Sequence, residues 1–358
     1  MNNNLILAIN PGSTSTKIAV YNGTELLIEK NIKHTTEELS QFDDMIGQYG
    51  FRKNLIIKEL EINSINLDDI KIIIGRGGLL KPVESGIYNI NEKMKEDLVQ
   101  GAASSKHASN LGGLLADDFA TQIPGAKAYI ADPPVVDEME ILARITGHPK
   151  FKRKSLFHAL NQKAIARQHA EFISTDYEKL NLIVAHLGGG ISVGAHKKGR
   201  IMDVNNALDG EGPLSPERSG SLPIGDVVKL CFSGEYTFDE VKKMLVGHGG
   251  MSAHLGTNNT IEIEKKALNG NNEYKLILDA MIYQIAKYIG SMYSVLFCDV
   301  DAILITGGMA HSKYITEEIS RRVKKMADVF VYPGENEMEA LAFNGRMLLN
   351  GNIAVQEY

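Results

Sequence analysis

The sequence predicts an α/β protein of two similar halves, each a mixed sheet built around a ββ hairpin and flanked by helices. Three observations lead there. A passage of strand, small-residue turn, strand, tight turn and strand occurs twice. Each copy is followed downstream by a short apolar run that ends in paired glycines. Stretches such as Ser155 to Ala170 and Tyr274 to Phe297 carry apolar residues at three and four spacing, the helical period.

The elements follow in order. Leu5 to Ile9 is an apolar strand, Asn10 to Thr16 a turn of small residues, and Lys17 to Tyr21 a second strand. Asn22-Gly23 is a two-residue hairpin signal, and Glu25 to Ile32 forms the third strand. Ile72 to Ile74 then runs into Gly75-Arg76-Gly77-Gly78, and the apolar segment Ala128 to Ala131 ends at Asp132. The plan returns with Leu182 to Leu187, the turn Gly188-Gly189-Gly190, Ile191 to His196, a Lys198-Gly199 turn, and Arg200 to Val204. Ala302 to Ile305 leads into Thr306-Gly307-Gly308. Ligands of open α/β sheets sit at such strand ends. The expected division is a first domain of residues 1–134 with 340–358 returning to it, and a second of 135–339.

Composition narrows the function. The 358 residues suffice for two cores, and 44% hydrophobic with 23% charged residues is ordinary for a globular chain. A net charge of -6 argues against a nucleic-acid partner. The longest apolar stretch, Ile277 to Phe297, is broken by Asp279, Gln284 and Lys287, so it reads as a buried helix and no membrane partner is expected. Met1 to Asn4 lacks a basic segment and leads into a strand, not a signal peptide. Cys231 and Cys298 cannot form a disulfide framework and read as buried thiols of a cytoplasmic protein. The run Lys150 to Lys154 reads as a solvated basic turn.

The first turn points to phosphate chemistry. Small residues let phosphate oxygens approach backbone N–H groups at Gly12, while Ser13 and Ser15 add hydroxyls and Lys17 a charge. A solvated hairpin loop has the same composition, but two such turns would make a polyphosphate clamp. Arg76 and Arg218 each stand in a glycine-flanked turn, where guanidinium forks could match carboxylate and phosphoryl oxygens. Asp132 precedes Pro133-Pro134 and also reads as a turn or N-cap aspartate. Lone histidines are commonly structural.

Asn10 to Lys17 resembles the opening signature of the acetate kinase family, within the superfamily of acetate and sugar kinases, heat-shock chaperones and actin. The similarity continues in order through Gly75-Arg76-Gly77-Gly78, Ser105-Lys106-His107, Ala131-Asp132, Leu156-Phe157-His158, His186 to Gly190, Arg218-Ser219-Gly220, Thr306-Gly307-Gly308 and Glu335-Asn336-Glu337. Asp132 to Asp137 and Gly334 to Glu339 are similar to the butyrate-kinase branch in particular.

The resemblance implies an actin-like, ribonuclease H-like fold with ATP in an interdomain cleft, and phosphoryl transfer from ATP to a short-chain carboxylate, giving an acyl phosphate and ADP. Acetate or propionate would be the alternative acceptor, and an actin-like or chaperone-like ATPase switch the alternative class. The implied catalytic residues are Arg76, Arg218, His158 and Asp132. Phosphates would meet Asn10, Gly12, Ser13, Ser15, Lys17, His186 and Gly188 to Gly190; adenosine would rest near Gly307, Gly308 and Met309. His107 would be a second phosphoryl contact. Magnesium would be served by Asn10, Asp132 and Glu337, with Glu335 and Glu339 near enough to shift that register. A homodimer or larger assembly is expected. Gly77 and Gly78 stand where acetate kinases carry bulky residues, so they should leave acyl room, with Phe157 and Pro213 as remaining walls.

Overall fold

The computed structural model describes residues 4–101, 108–335, 337–351 and 353–358. Its strands, in chain order, are β1 Leu5–Pro11, β2 Ser15–Asn22, β3 Glu25–Lys33, β4 Ile70–Arg76, β5 Ile87–Asn89, β6 Lys127–Ala131, β7 Asn181–Leu187, β8 Ile191–Lys197, β9 Arg200–Val204, β10 Ala302–Gly307, β11 Asp328–Pro333 and β12 Val355–Gln356. The main helices are α1 Tyr49–Ile62, α2 Asn110–Gln122, α3 Ala159–Phe172, α4 Thr260–Leu268, α5 Asn272–Val295, α6 Lys313–Val323 and α7 Glu337–Leu349. The chain divides into two compact units, Met1–Val136 with Asn336–Tyr358, and Asp137–Glu335.

In the first unit the strand order is β12-β5-β6-β4-β1-β2-β3. β1, β2 and β3 form an antiparallel meander, and β4 and β6 continue parallel to β1. In the second unit the order is β11-β10-β7-β8-β9, again a meander (β7, β8, β9) extended by two parallel strands. The five-strand plan is therefore duplicated in order and direction, as the paired hairpins predict. β5 and β12 are additions to the first unit's edge. Asn22 pairs with Glu25, so the first tight turn is Gly23-Thr24, one residue later than the sequence suggests, because Gly23 supplies the positive φ of +60°.

Both sheets are covered on two faces, so their central strands are apolar on both sides. In the first unit Leu7, Ile9, Ile18, Val20 and Ile73 pack with Ile56 and Leu60 of α1 and Leu115 and Phe119 of α2. Helix α7 covers β1 and β4. In the second unit Ile183, Ala185, Val193 and Ala195 meet Met281, Ile285 and Ile289 of α5, while Leu182, Val184 and Leu304 meet Ile165, Ala166 and Ala170 of α3.

Local differences from expectation have physical causes. Helix α3 begins at Ala159 rather than Ser155, because Leu156 O accepts the amide of Ala207 and ties the preceding chain in an extended course. Helix α5 buries one side, while Tyr283 and Leu276 on the other are exposed; no helix among the described residues is long and apolar enough to cross a membrane. Cys231 and Cys298 are exposed rather than buried. Arg153 is no solvated turn residue: it donates to Asp203 and Glu211 side chains and to Ala143 O and Val204 O.

Glycines let α2 approach the end of β4. A Cβ on Gly75 would lie 2.2 Å from Gly112 O, and one on Gly112 would lie 2.3 Å from Arg76 O. Gly112→Ala should therefore force α2 off the strand, costing about 1–3 kcal/mol by the overpacking scale, and lower the melting temperature. An unchanged melt would show that this contact can relax.

Candidate active site

The turn between β1 and β2 is closed by Gly12 N–H donating to Ser15 O at 2.7 Å. Behind it lies Arg52 of α1, fully buried, which sequence reading missed. Its Nη1 donates to Gly12 O (2.8 Å), Ser15 O (2.9 Å) and Thr16 Oγ1 (3.0 Å), and Nη2 to Ser13 O (3.1 Å). Gln48 Oε1 takes a bond from Nε and from Nη2. With the turn's carbonyls drawn to the guanidinium, its exposed side is left to Ser13 and the adjacent hydroxyls, over a buried positive charge that favours anions. Burial lowers the Arg52 pKa to about 10, still well above neutral pH. An arginine at helical spacing looks like any surface arginine in sequence; only its packing distinguishes it. His34 Nε2 pairs with Thr16 Oγ1 at 2.9 Å, and burial, then Arg52, lowers its pKa to about 4.

β1 and β4 lie side by side, which brings Asn10 to Arg76. Arg76 Nη1 donates to Asn10 Oδ1 at 3.3 Å and sits 3.1 Å from Glu337 Oε1 and 3.2 Å from Glu337 Oε2. Asn10 Nδ2 donates to the same carboxylate. Glu337 stands in the first turn of α7, where the helix end favours negative charge. This singles it out from its neighbours: Glu339 is exposed on α7, and Glu335 lines a cavity of the second unit. Among the described residues, Nε and Nη2 of Arg76 make no hydrogen bond, so half of its fork is open.

Asp132, 1% exposed, follows β6 with a φ of +37°, a conformation uncommon outside glycine. Its Oδ1 accepts Ser85 Oγ (2.6 Å) and Gly86 N (3.0 Å), and its own amide donates to Gly86 O. It thus caps no helix but is braced from the β5 side.

Gly77 and Gly78 do not leave the acyl room expected of them. A Cβ on Gly77 would meet Pro133 Cβ at 2.5 Å; one on Gly78 would meet Asn110 Oδ1 at 2.5 Å and Leu98 Cδ2 at 2.7 Å. These glycines accommodate close packing, not an open acyl pocket. His107 lies outside the described residues.

In the second unit the turn Gly188 to Gly190 closes with Gly188 N–H donating to Gly190 O at 3.0 Å. Arg218 passes across it: a Cβ on Gly190 would sit 1.6 Å from Nη1, so any other residue there would displace the guanidinium. Nη1 donates to Ala207 O, and the buried Nε has no partner among the described residues. Burial lowers the Arg218 pKa, with Glu217 opposing. Ser215 locks this loop beneath the turn, its Oγ donating to Gly189 O at 2.7 Å.

His158 precedes α3, its Nδ1 2.9 Å from Ser192 Oγ, and its ring stacks on His186 with centroids 3.9 Å apart. His186 Nδ1 is 2.7 Å from Asn161 Oδ1. Gly188, Gly189, Gly308 and Met309 line a cavity of about 880 Å³ together with Asn258 and Ile261, which had no sequence signal. Gly307, at φ +94°, lets the end of β10 pass Leu187, whose carbonyl oxygen would lie 2.4 Å from a Cβ. Phe157 and Pro213 are buried.

Residues 148–341 match the model of the Acetokinase family, and the chain belongs to that family. It is 52% identical over 353 residues to a probable butyrate kinase of Bacteroides thetaiotaomicron, and 50% identical over 353 residues to butyrate kinase 2 of Clostridium acetobutylicum, covering 99% of each chain in both cases. Among solved structures, the acetate kinase of Porphyromonas gingivalis shares the fold with a TM-score of 0.76 at 18% identity, over 96% of this chain and 100% of that one.

His34 makes stability pH-dependent. Its folded pKa of about 4 lies below the ordinary 6.5, so the unfolded chain binds the proton first as pH falls. The contribution is complete above about 6.5 and is lost toward about 4, amounting to roughly 3 kcal/mol. Denaturant titrations from neutral to acid pH should show a shallower decline for His34→Gln than for the native protein. Parallel declines would remove His34 from the account.

Proposed function

We infer that the protein transfers the γ-phosphoryl group of ATP reversibly to butyrate or isobutyrate, giving the acyl phosphate and ADP. The observation that carries this reading is the open half of the Arg76 fork, held in place by Asn10 and Glu337. It suits a carboxylate, which a guanidinium meets with two parallel bonds. The relatives named butyrate kinases, at 50–52% identity, support the four-carbon acid.

A carboxylate oxygen attacks the γ-phosphorus, an acyl O–P bond forms, and the bond to the ADP oxygen breaks. The acid is already ionised at neutral pH, so no strong base is needed. Arg76 would hold the acid, and Arg218 would neutralise charge on the transferring phosphoryl. His158 would donate to an equatorial phosphoryl oxygen, with His186 beside it and His107 as a further contact. Ser13, Ser15 and Lys17 would serve phosphate on the first unit, and Gly189 and Gly190 on the second, while the N–H groups of Gly12 and Gly188 are engaged in closing their own turns. The cavity at Gly308 and Met309 would take adenosine, making the second unit the nucleotide-binding one. Phe157 and Pro213 remain candidates for apolar walls.

Among the described residues no three His, Cys, Asp or Glu converge on one point. Isolated carboxylates fit magnesium, which keeps several waters and is bound through one or two carboxylates together with phosphate oxygens. Glu337, Asp132 and Asn10 would hold it, and it would supply charge neutralisation on the phosphates. A homo-oligomer belongs to the same reading: the helices Ile224–Cys231 and Phe238–Leu245 bury no side chain, and Ile224 and Phe238 on them and Phe232 just after the first are exposed. The two unpaired, exposed cysteines support a reducing, cytoplasmic setting.

With MgATP and butyrate, hydroxylamine should trap an acyl hydroxamate, faster than with acetate. Arg76→Ala and Arg218→Ala should each lower kcat/KM roughly 10³-fold while circular dichroism melts stay close to native. ATP hydrolysis indifferent to every short acid would instead favour an ATPase switch.

A further inference from the structure

Ser192, Gly194 and His196 lie at alternate positions of β8 and so share one face, the face that α3 covers. Ser192, His196 and Gln162 of α3 are each 0% exposed. A buried polar row of this kind must satisfy itself internally. It does so as a chain. Tyr177 Oη is 2.8 Å from His196 Nδ1; His196 Nε2 is 3.0 Å from Gln162 Oε1; Gln162 Nε2 is 2.8 Å from Ser192 Oγ; and Ser192 Oγ is 2.9 Å from His158 Nδ1.

The direction of every bond follows from one anchor. Gln162 Nε2 also faces Ser192 O at 3.2 Å, and a backbone carbonyl only accepts, so this end of the side chain is the amide NH₂. Its Oε1 must then accept, which requires His196 to carry its proton on Nε2. His196 is neutral at physiological pH, since burial, then Lys163 and Arg167, lowers its pKa well below the ordinary value. Its bare Nδ1 therefore accepts the Tyr177 hydroxyl. At the other end Ser192 Oγ receives the Gln162 amide, and no acceptor but His158 Nδ1 faces its own hydrogen among the described residues. Reversing that last bond would strand a buried hydroxyl hydrogen.

The stacked partner is anchored in the same way with the opposite result. Asn161 Nδ2 donates to Glu335 O at 2.5 Å, so Asn161 Oδ1 accepts and His186 carries a proton on Nδ1. We propose that these two buried relays hold the stacked histidines in opposite neutral tautomers. His158 carries its proton on Nε2 as the donor, and His186 keeps an unprotonated Nε2 on the side of Gly188. Ser192, Gln162 and His196 are then positioning residues. Their catalytic relevance rests on the reading above that His158 donates to the transferring phosphoryl. Gly194 is part of the device: a Cβ there would lie 2.5 Å from Gln162 Oε1 and 3.3 Å from His196 Nε2, displacing the carboxamide.

Long-range proton–nitrogen NMR on the native enzyme labelled with ¹⁵N-histidine tests the tautomers directly. At about pH 8, above the ordinary histidine range, and with signals assigned through His158→Gln and His186→Gln, His158 should show an unprotonated Nδ1 and His186 an unprotonated Nε2. A protonated Nδ1 on His158 overturns the proposal. In kinetics, Ser192→Ala and Gly194→Ala should each lower kcat tenfold or more, on the order of the effect of losing a partner behind an active-site histidine, with little change in KM for ATP or butyrate. Within a His158→Ala background Ser192→Ala should add nothing; an undiminished further loss would mean that Ser192 acts elsewhere. If His158→Ala leaves kcat at the native value, the catalytic role of His158 fails while the tautomer assignment stands or falls on the spectra.

Discussion

A polar side chain buried beneath a helix-covered sheet must find its hydrogen-bond partner inside the protein, because an unmet bond there costs more than an ordinary one gains. Both sheets of this protein are covered on two faces, and the consequences reach every part of the site. Arg52 is buried because the turn entering β2 offers it three carbonyls and a threonine hydroxyl, and Gln48 its side-chain oxygen. Ser192, Gln162 and His196 are buried only because they complete one another. In each case the buried group fixes something that faces outward: the turn after β1 in the first unit and the His158 ring in the second.

Glycine plays the complementary part. Gly190 is vacant so that Arg218 can cross it, Gly194 so that Gln162 can reach His196, and Gly75 and Gly112 so that a helix can approach a strand end. Two of these make way for a side chain and not for a ligand. The same reason corrects the view that Gly77 and Gly78 widen an acyl pocket, since Pro133, Asn110 and Leu98 already occupy that space. A missing side chain creates room only if the neighbouring structure leaves it unfilled.

The duplicated plan gives the two halves similar frames with different chemistry. In the first, the strand end carries Arg76 pinned by Asn10 and Glu337, and Asp132 braced by Ser85 and Gly86. In the second, the corresponding turn is all glycine, and the polar groups come from α3, from β7 and from the loop carrying Arg218. Fixed donors on rigid strands and helix ends need little reorganisation when charge develops in a transition state.

Sequence alone determined the duplicated plan: apolar runs, turn glycines and their repetition specify the two hairpin meanders, since these are local signals read within a few residues. Motif order marked the candidates Arg76 and Asp132 at strand ends, His158 before a helix and Arg218 in a loop. What only the tertiary structure decided are the pairings between residues far apart in the chain. Glu337 was separated from Glu335 and Glu339 by which one faces Arg76, across 261 residues. Arg52 and Gln162 have nothing in their neighbourhoods to mark them, and the alternation through Ser192, Gly194 and His196 reads as a strand with a solvated face. Burial turned that row inward, where each polar atom is bound to a partner that no local pattern encodes.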